Sequence, residues 1–133
     1  MRITGIIYSD LGRASSFMAL DWVQFSIRRS VGFSPYPATL NLRPRTDEDA
    51  TVWQRARQDA PALPLAPVDG GFCSARLYRV EIAGGIGARL QGAVLVPEVR
   101  DYPSDKIEII APLRLKDHWG LRDGDALTLE FLN

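Results

Sequence analysis

Few residues in this sequence could do chemistry, and their types narrow what that chemistry can be. Cys73 is the only cysteine and His118 the only histidine. One of each excludes an internal disulfide and leaves a Cys/His zinc site short of ligands. Any Ser-His-Asp relay would have to run through His118. That residue stands beside Trp119 in a short turn and reads as structural, while Cys73, within a strand pattern, reads as a buried small hydrophobe. Glu108 is different. It lies in Ile107-Glu108-Ile109-Ile110, where a carboxylate is costly unless a partner meets it. Alternation along a strand equally allows it to face outward.

Several signatures are absent. No G-x-x-x-x-G-K-[ST], H-E-x-x-H or G-x-S-x-G run occurs. Gly84-Gly85-Ile86-Gly87 lies between two strand patterns and reads as a glycine hairpin, not as a dinucleotide loop. Sixteen basic residues balance sixteen acidic ones. That neutrality argues against a general nucleic-acid coat, which needs a basic excess. No apolar run approaches the roughly 20 residues of a membrane helix. The opening MRITGIIYSDLGR turns polar too soon for a secretory signal. These features predict a cytoplasmic protein in a reducing environment.

The elements that must position these residues can be read along the chain. A length of 133 residues is the size of one domain, spanning 1–133, and a hydrophobic fraction of 46% supplies a core without staples. Arg2–Tyr8 is rich in β-branched residues and predicts a first strand. Ser15 or Ser16 is placed to cap a helix reaching about residue 31. Phe17, Leu20, Gln24 and Ile27 share one side of it, with Met18, Trp22 and Phe25 nearby; Trp22 and Phe25 read as core. Arg28 and Arg29 suit its negative end, and Gly32 its stop. Pro35 and Pro37 impose an extended path, after which 38–42 alternates as a strand. Residues 43–59 are polar, with a short surface helix predicted over 49–58. The proline-rich stretch 61–68 reads as a loop. Further strands are predicted over 72–82, 88–96 and 106–111, and a helical turn over 113–119. Asp123-Gly124-Asp125 is a turn, and Leu127, Leu129 and Phe131 then point inward. The sum is a mainly β fold, a small closed barrel of about six strands with one main helix and short helical insertions.

Longer motifs connect this outline to a family. Gln24-Phe25, followed by Val31-Gly32-Phe33-Ser34-Pro35-Tyr36-Pro37-Ala38-Thr39-Leu40-Asn41-Leu42, resembles the signature of the CTP-dependent riboflavin kinases typical of archaea. There a segment close to QF…LGF-x-PYPGTLN follows the first helix. Tyr102-Pro103 with Ile107-Glu108-Ile109-Ile110-Ala111-Pro112, and then Leu121-Arg122-Asp123-Gly124-Asp125, match later segments in the same order. The resemblance spans nearly the whole chain and is weakest over 45–70. It implies a cradle-loop, RIFT-like barrel that transfers the γ-phosphoryl of CTP to the 5′-hydroxyl of riboflavin, giving FMN and CDP. It also implies Mg2+ at Thr39 and Asn41. Two apart on an extended segment, these face one way, and their neutral oxygens suit a hard cation. On the residues alone, a strand-edge Thr and Asn without a ligand is the simpler reading. The resemblance gives Glu108 a flavin contact and a role in holding or deprotonating the acceptor hydroxyl.

The same resemblance assigns nucleotide binding to Asp10, Leu11, Gly12, Arg13, Ala14 and Ser15, and to Leu113, Arg114, Leu115 and Lys116. Here the chain departs from the pattern. Only Leu11 and Gly12 match the family's GLGEG, whose glycines let backbone N–H groups approach phosphates. Asp10 brings a negative charge and Arg13 offers a positive one. Ala38 stands in place of a glycine. Arg100 stands in place of a flavin-contacting threonine and becomes a candidate flavin contact. Lys116 replaces an arginine, keeping the charge without the planar fork. The expected partners are riboflavin or FMN and CTP or CDP, with no nucleic acid and no membrane, on a monomer or small homo-oligomer. Two other readings compete. Asp10, Arg13 and Ala14 motivate a relative that binds flavin or nucleotide without transferring phosphate. Residues 111–125 also resemble the swapped-hairpin DNA-binding proteins, against which the neutral charge and the 35–41 segment both argue.

Overall fold

Alternation of apolar and polar residues carries most of the architecture. The computed structural model describes residues 1–133 apart from 11, 13, 68–73 and 86. The strands among the described residues are β1 (Arg2–Tyr8), β2 (Leu40–Pro44), β3 (Leu63–Leu65), β4 (Ala75–Gly84), β5 (Ala88–Pro97), β6 (Ile107–Ile110) and β7 (Ala126–Phe131). The helices are α1 (Ala14–Met18), α2 (Asp21–Val31), α3 (Asp47–Asp59) and α4 (Leu115–Trp119). The sheet runs β3-β4-β5-β6-β2-β1-β7, all antiparallel, and β7 returns to β4. Six strands thus close the barrel that the sequence predicts. β3 lies outside it, paired to the start of β4. It falls where a loop was predicted, and Pro64 explains why: a proline is tolerated on a short edge strand that needs no ladder donor there.

Ile7, Leu42, Val80, Ile82, Ile107, Ile109 and Leu129 are among the residues that fill the interior. A second apolar cluster covers part of the outer wall. There Leu77, Ala93, Leu95 and Ile110 meet Met18, Val23 and Ile27 from α1 and α2.

The helical regions differ from the sequence prediction in four ways. The helix predicted over 15–31 is interrupted, because Leu20 adopts an extended backbone (φ −66°, ψ 137°). Gln24 Nε2 bridges the break by donating to the carbonyls of Met18 (2.7 Å) and Pro35 (3.0 Å). Ser15 lies inside α1 and does not cap it; its Oγ donates to the carbonyl of Gly12. Phe25, predicted as core, is 62% exposed with the Arg29 guanidinium beside its ring. The buried side of α2 is set by Val23 and Ile27, and Phe25 stands about 200° around the helix from each. Finally, the helix predicted over 49–58 is the longer Asp47–Asp59 and is no mere surface element. It buries Trp53 and Ala56, and Trp53 stacks on Phe131. Gly32 ends α2 as predicted, at φ 87°. No helix among the described residues is long and apolar enough to cross a membrane.

Two local contacts fix the frame around the barrel. Gly84 lets Trp119 of α4 lie against β4, since a Cβ there would stand 2.6 Å from the indole. Asp49 ties α3 to β1: Oδ1 accepts from the Thr4 backbone N–H (2.9 Å) and Oδ2 from the Thr46 hydroxyl (2.7 Å). Burial opposes ionisation of Asp49, but these hydrogen bonds and the charge of Arg45 outweigh it and hold the carboxyl below its ordinary value.

Asp49→Ala is therefore expected to lower stability by about 1.5–3 kcal/mol, the range for a hydrogen bond to a charged group. A depressed folded pKa means that the contribution is complete above the unfolded value of about 3.9 and is lost as pH falls through the lower folded value. Urea denaturation of parent and variant should show a gap at neutral pH that narrows in acid.

Candidate active site

Register places three polar side chains in a row. Tyr8 of β1 pairs with Asn41 of β2, and Asn41 pairs with Glu108 of β6. Their neighbours Ile7, Leu42 and Ile107 point into the barrel, so Tyr8, Asn41 and Glu108 face the outer wall. Glu108 thus faces outward, as alternation allows, yet it is only 6% exposed. Neighbouring segments cover it and supply the partners that a buried carboxylate requires. The Thr39 hydroxyl donates to Oε1 at 3.1 Å and the Tyr102 hydroxyl to Oε2 at 2.7 Å. Lys106 Nζ stands 4.0 Å from Oε1 and 2.7 Å from Asp10 Oδ2.

The partners' protonation suits this arrangement. Burial, and then the negative charge of Glu108, push the Tyr102 phenol well above its ordinary pKa. It therefore remains a hydrogen-bond donor at neutral pH. Burial works against the Lys106 ammonium, but the hydrogen bond to Asp10 and the charges of Glu108 and Asp10 prevail and raise its pKa. Burial likewise raises Tyr8, whose ring lies 4.4 Å from the Arg43 guanidinium.

Above this row opens a cleft of about 260 Å³. It brings together most of the sequence-predicted site residues. Asp10, Gly12, Ala14 and Ser15 line it from the segment after β1. Leu113, Arg114, Leu115 and Lys116 line it from the start of α4, and Thr39, Asn41 and Glu108 from β2, β6 and the approach to β2. Leu115 is buried in the barrel core as well. Lys116 Nζ contacts Asp123 Oδ1 (3.1 Å) and Ser9 Oγ (3.4 Å), and Arg114 pairs with Asp117 (2.6 Å). Hydrogen bonds from Ser9 and Lys116 hold the exposed Asp123 carboxyl below its ordinary value. Leu11, Arg13 and Cys73 lie outside the described residues. Arg100 is exposed in the connection between β5 and β6 and is not part of the cleft lining. His118 is exposed on α4 with its ring against Trp119.

The oxygen atoms at the floor fit a hard cation. Asn41 Oδ1 is buried and accepts no hydrogen bond, a state that costs free energy unless something else meets it. Thr39 gives its proton to Glu108, which leaves hydroxyl lone pairs for another partner. Among the described residues no group of three or more His, Cys, Asp or Glu is gathered for a metal. A hard cation held by Thr39 and Asn41 would have to take its remaining ligands from phosphate oxygens and waters.

Tyr102, Lys106, Tyr8 and Ser9 were not singled out as site residues from the sequence. For Lys106 a signal existed: it is two residues before Glu108 and so shares its face. Tyr102 reaches Glu108 from a loop, and nothing in its spacing announces the contact.

Comparison with known proteins bears on this geometry. A family model named for CTP-dependent riboflavin kinases, and described as Domain of unknown function DUF120, matches residues 7–131. Similar proteins include the riboflavin kinase of Pyrobaculum islandicum, 31% identical over 98% of this chain and 60% of that protein. The riboflavin kinase of Archaeoglobus fulgidus is 30% identical over 99% of this chain and 55% of its own length. That of Aeropyrum pernix is 30% identical over 97% of this chain and 94% of its own length. The chain spans about 60% of the length of the first of these relatives.

Asn41→Leu separates the structural and ligand roles of the unpaired oxygen. Removing a buried acceptor that has no donor is expected to leave the urea midpoint unchanged or higher. Saturating magnesium should raise the midpoint of the parent protein and leave that of the variant where it was.

Proposed function

The chain belongs to the CTP-dependent riboflavin kinase family, and from this membership and the cleft we propose that it transfers a phosphoryl group from CTP to the 5′-hydroxyl of riboflavin, giving FMN and CDP. The observation that carries the proposal is the buried Glu108, held by two hydroxyl donors beside the unpaired Asn41 Oδ1. The relatives' names support riboflavin as the acceptor. The choice of CTP rests on the family's name.

Phosphoryl transfer asks for positioning and charge neutralisation more than for covalent chemistry. Thr39 and Asn41 are the residues that would hold Mg2+, and the bound ion would neutralise phosphate oxygens. Arg114 and Lys116 offer further positive charge at the rim of the cleft. Glu108 serves the acceptor. Thr39 and Tyr102 each occupy one of its oxygens, and each oxygen keeps acceptor capacity. A substrate hydroxyl can therefore donate to the carboxylate and be held in line with the phosphoryl group. As the new O–P bond forms and the bond to CDP breaks, the hydroxyl proton passes to Glu108 and then to solvent. Tyr102, protonated at neutral pH, fixes the orientation of the carboxylate throughout.

A second reading has an observation of its own. Asp10 puts a carboxylate on the wall of the cleft, where it repels a polyphosphate, and this favours a relative that binds flavin without phosphoryl transfer.

Incubation with riboflavin, magnesium and either CTP or ATP, read by mass, decides between the two. FMN formed with CTP and not with ATP is the expected result. Quenching of flavin fluorescence without FMN would support the second reading. Tyr102→Phe should lower turnover about tenfold, the loss expected from roughly one hydrogen bond, with the thermal midpoint and riboflavin binding little changed. Undiminished turnover would remove Tyr102 from the mechanism.

A further inference from the structure

The cleft's described cations are not equivalent. Arg114 is 46% exposed and paired with Asp117 one turn away. Lys116 is engaged by Asp123 and Ser9. Lys106 alone among them stands close to Glu108, at 4.0 Å, and its side chain is 19% exposed. Its backbone directly precedes β6, which is paired on both sides, to β2 and β5. The head group is therefore held near one place. Its principal partner is less constrained: Asp10 lies past the end of β1, with a side chain 37% exposed. One ammonium thus serves two carboxylates, one built into the sheet wall and one on an adjoining loop.

We propose that Lys106 is a phosphate-binding cation of the cleft, and that Asp10 occupies it until a nucleoside triphosphate takes the carboxylate's place. The inference deepens the nucleotide-binding reading above and rests on it. The physical case is an exchange of anions at one ammonium. A triphosphate brings several negative charges into a space that already holds Asp10 and Glu108. Glu108 is fixed by its hydroxyl donors. Asp10 is the carboxylate that can give way, because it lies on a loop and its exposed side can be hydrated as it leaves Lys106. Lys106, freed, then faces the phosphoryl oxygens nearest Glu108, where the transferred group must lie if Glu108 holds the acceptor hydroxyl. In the resting protein Asp10, at 2.7 Å, is the nearer of the two carboxylates that neutralise this half-buried ammonium. The same contact weakens nucleotide binding, because it must be broken first.

Calorimetric titration of the whole chain with CTP and magnesium, in low and in physiological salt, tests this. Thermal melts would establish that each variant folds. Asp10→Asn should bind CTP about fivefold more tightly than the parent, a factor in keeping with one exposed charge pair in water. The gain should shrink as salt screens it. Lys106→Met should bind CTP about tenfold more weakly, the loss of one charge-assisted contact, and Lys106→Arg should recover most of that loss. If Asp10→Asn binds CTP no more tightly than the parent, or Lys106→Met binds it as well, the exchange is overturned while the nucleotide reading stands. If the folded parent binds neither CTP nor ATP, both fall together.

Discussion

A carboxylate held out of water on the outside of a barrel governs how this molecule is arranged. Glu108 lies on the solvent side of β6, where an ionised group would ordinarily stay hydrated, and it is nonetheless buried. Burial obliges the structure to provide donors. These come from separate parts of the chain: Thr39 ahead of β2, Tyr102 in the connection before β6, and Lys106 immediately before β6. Asp10, from beyond β1, joins through Lys106. Each contact is stronger for being partly shielded from water, and each member holds the others in place. Segments with little local reason to take one conformation are thereby drawn to a common point. Thr39, Tyr102, Lys106 and Asp10 are gathered around one charge.

Precision beneath that point comes from strand register. Leu42 and Ile107 are locked into the barrel interior, so Asn41 and Glu108 must stand beside one another on the outside. A slip of β6 by one residue against β2 would turn Glu108 into the core and bring its isoleucine neighbours out. The closure of β7 onto β4 leaves no open edge along the six barrel strands, apart from what β3 extends. The helices α1 and α2 cover only part of the outer wall, over Leu77, Ala93, Leu95 and Ile110. The adjoining part remains open as the cleft. The cleft thus opens on a part of the barrel's outer wall that α1 and α2 leave uncovered.

Much of this was legible in the sequence because it depends on short-range patterns. Alternation gave the barrel strands, and the isoleucines around Glu108 marked it as unusual. Thr39 and Asn41 were visible as a pair on one face. What escaped depends on partners far along the chain. The break at Leu20 contains neither glycine nor proline, and it is held by a glutamine reaching two distant carbonyls. Phe25 looked like core because the helix was read as continuous, which misplaced its face. The depth of α3 was signalled only by Val52, Trp53 and Ala56 in an otherwise polar stretch. Tyr102 could be joined to Glu108 only once the loop before β6 had been placed.

The balance of charge in the composition takes on a local meaning in the cleft. Lys106, Arg114 and Lys116 each face an acidic neighbour: Asp10, Asp117 and Asp123 respectively. A phosphate-binding surface built of unpaired cations would attract any polyanion, nucleic acid included. Pairing each cation raises the threshold. An incoming anion must replace a carboxylate in geometry as well as in charge, and only a ligand that also satisfies Asn41 Oδ1 and Glu108 recovers what that replacement costs. The unpaired oxygen at the floor acts in the same direction. It costs the protein a little free energy, which a hard cation bound there would offset. Selectivity in such a cleft comes less from attraction than from how few ligands can complete every contact that the protein alone leaves unmade or only provisionally made.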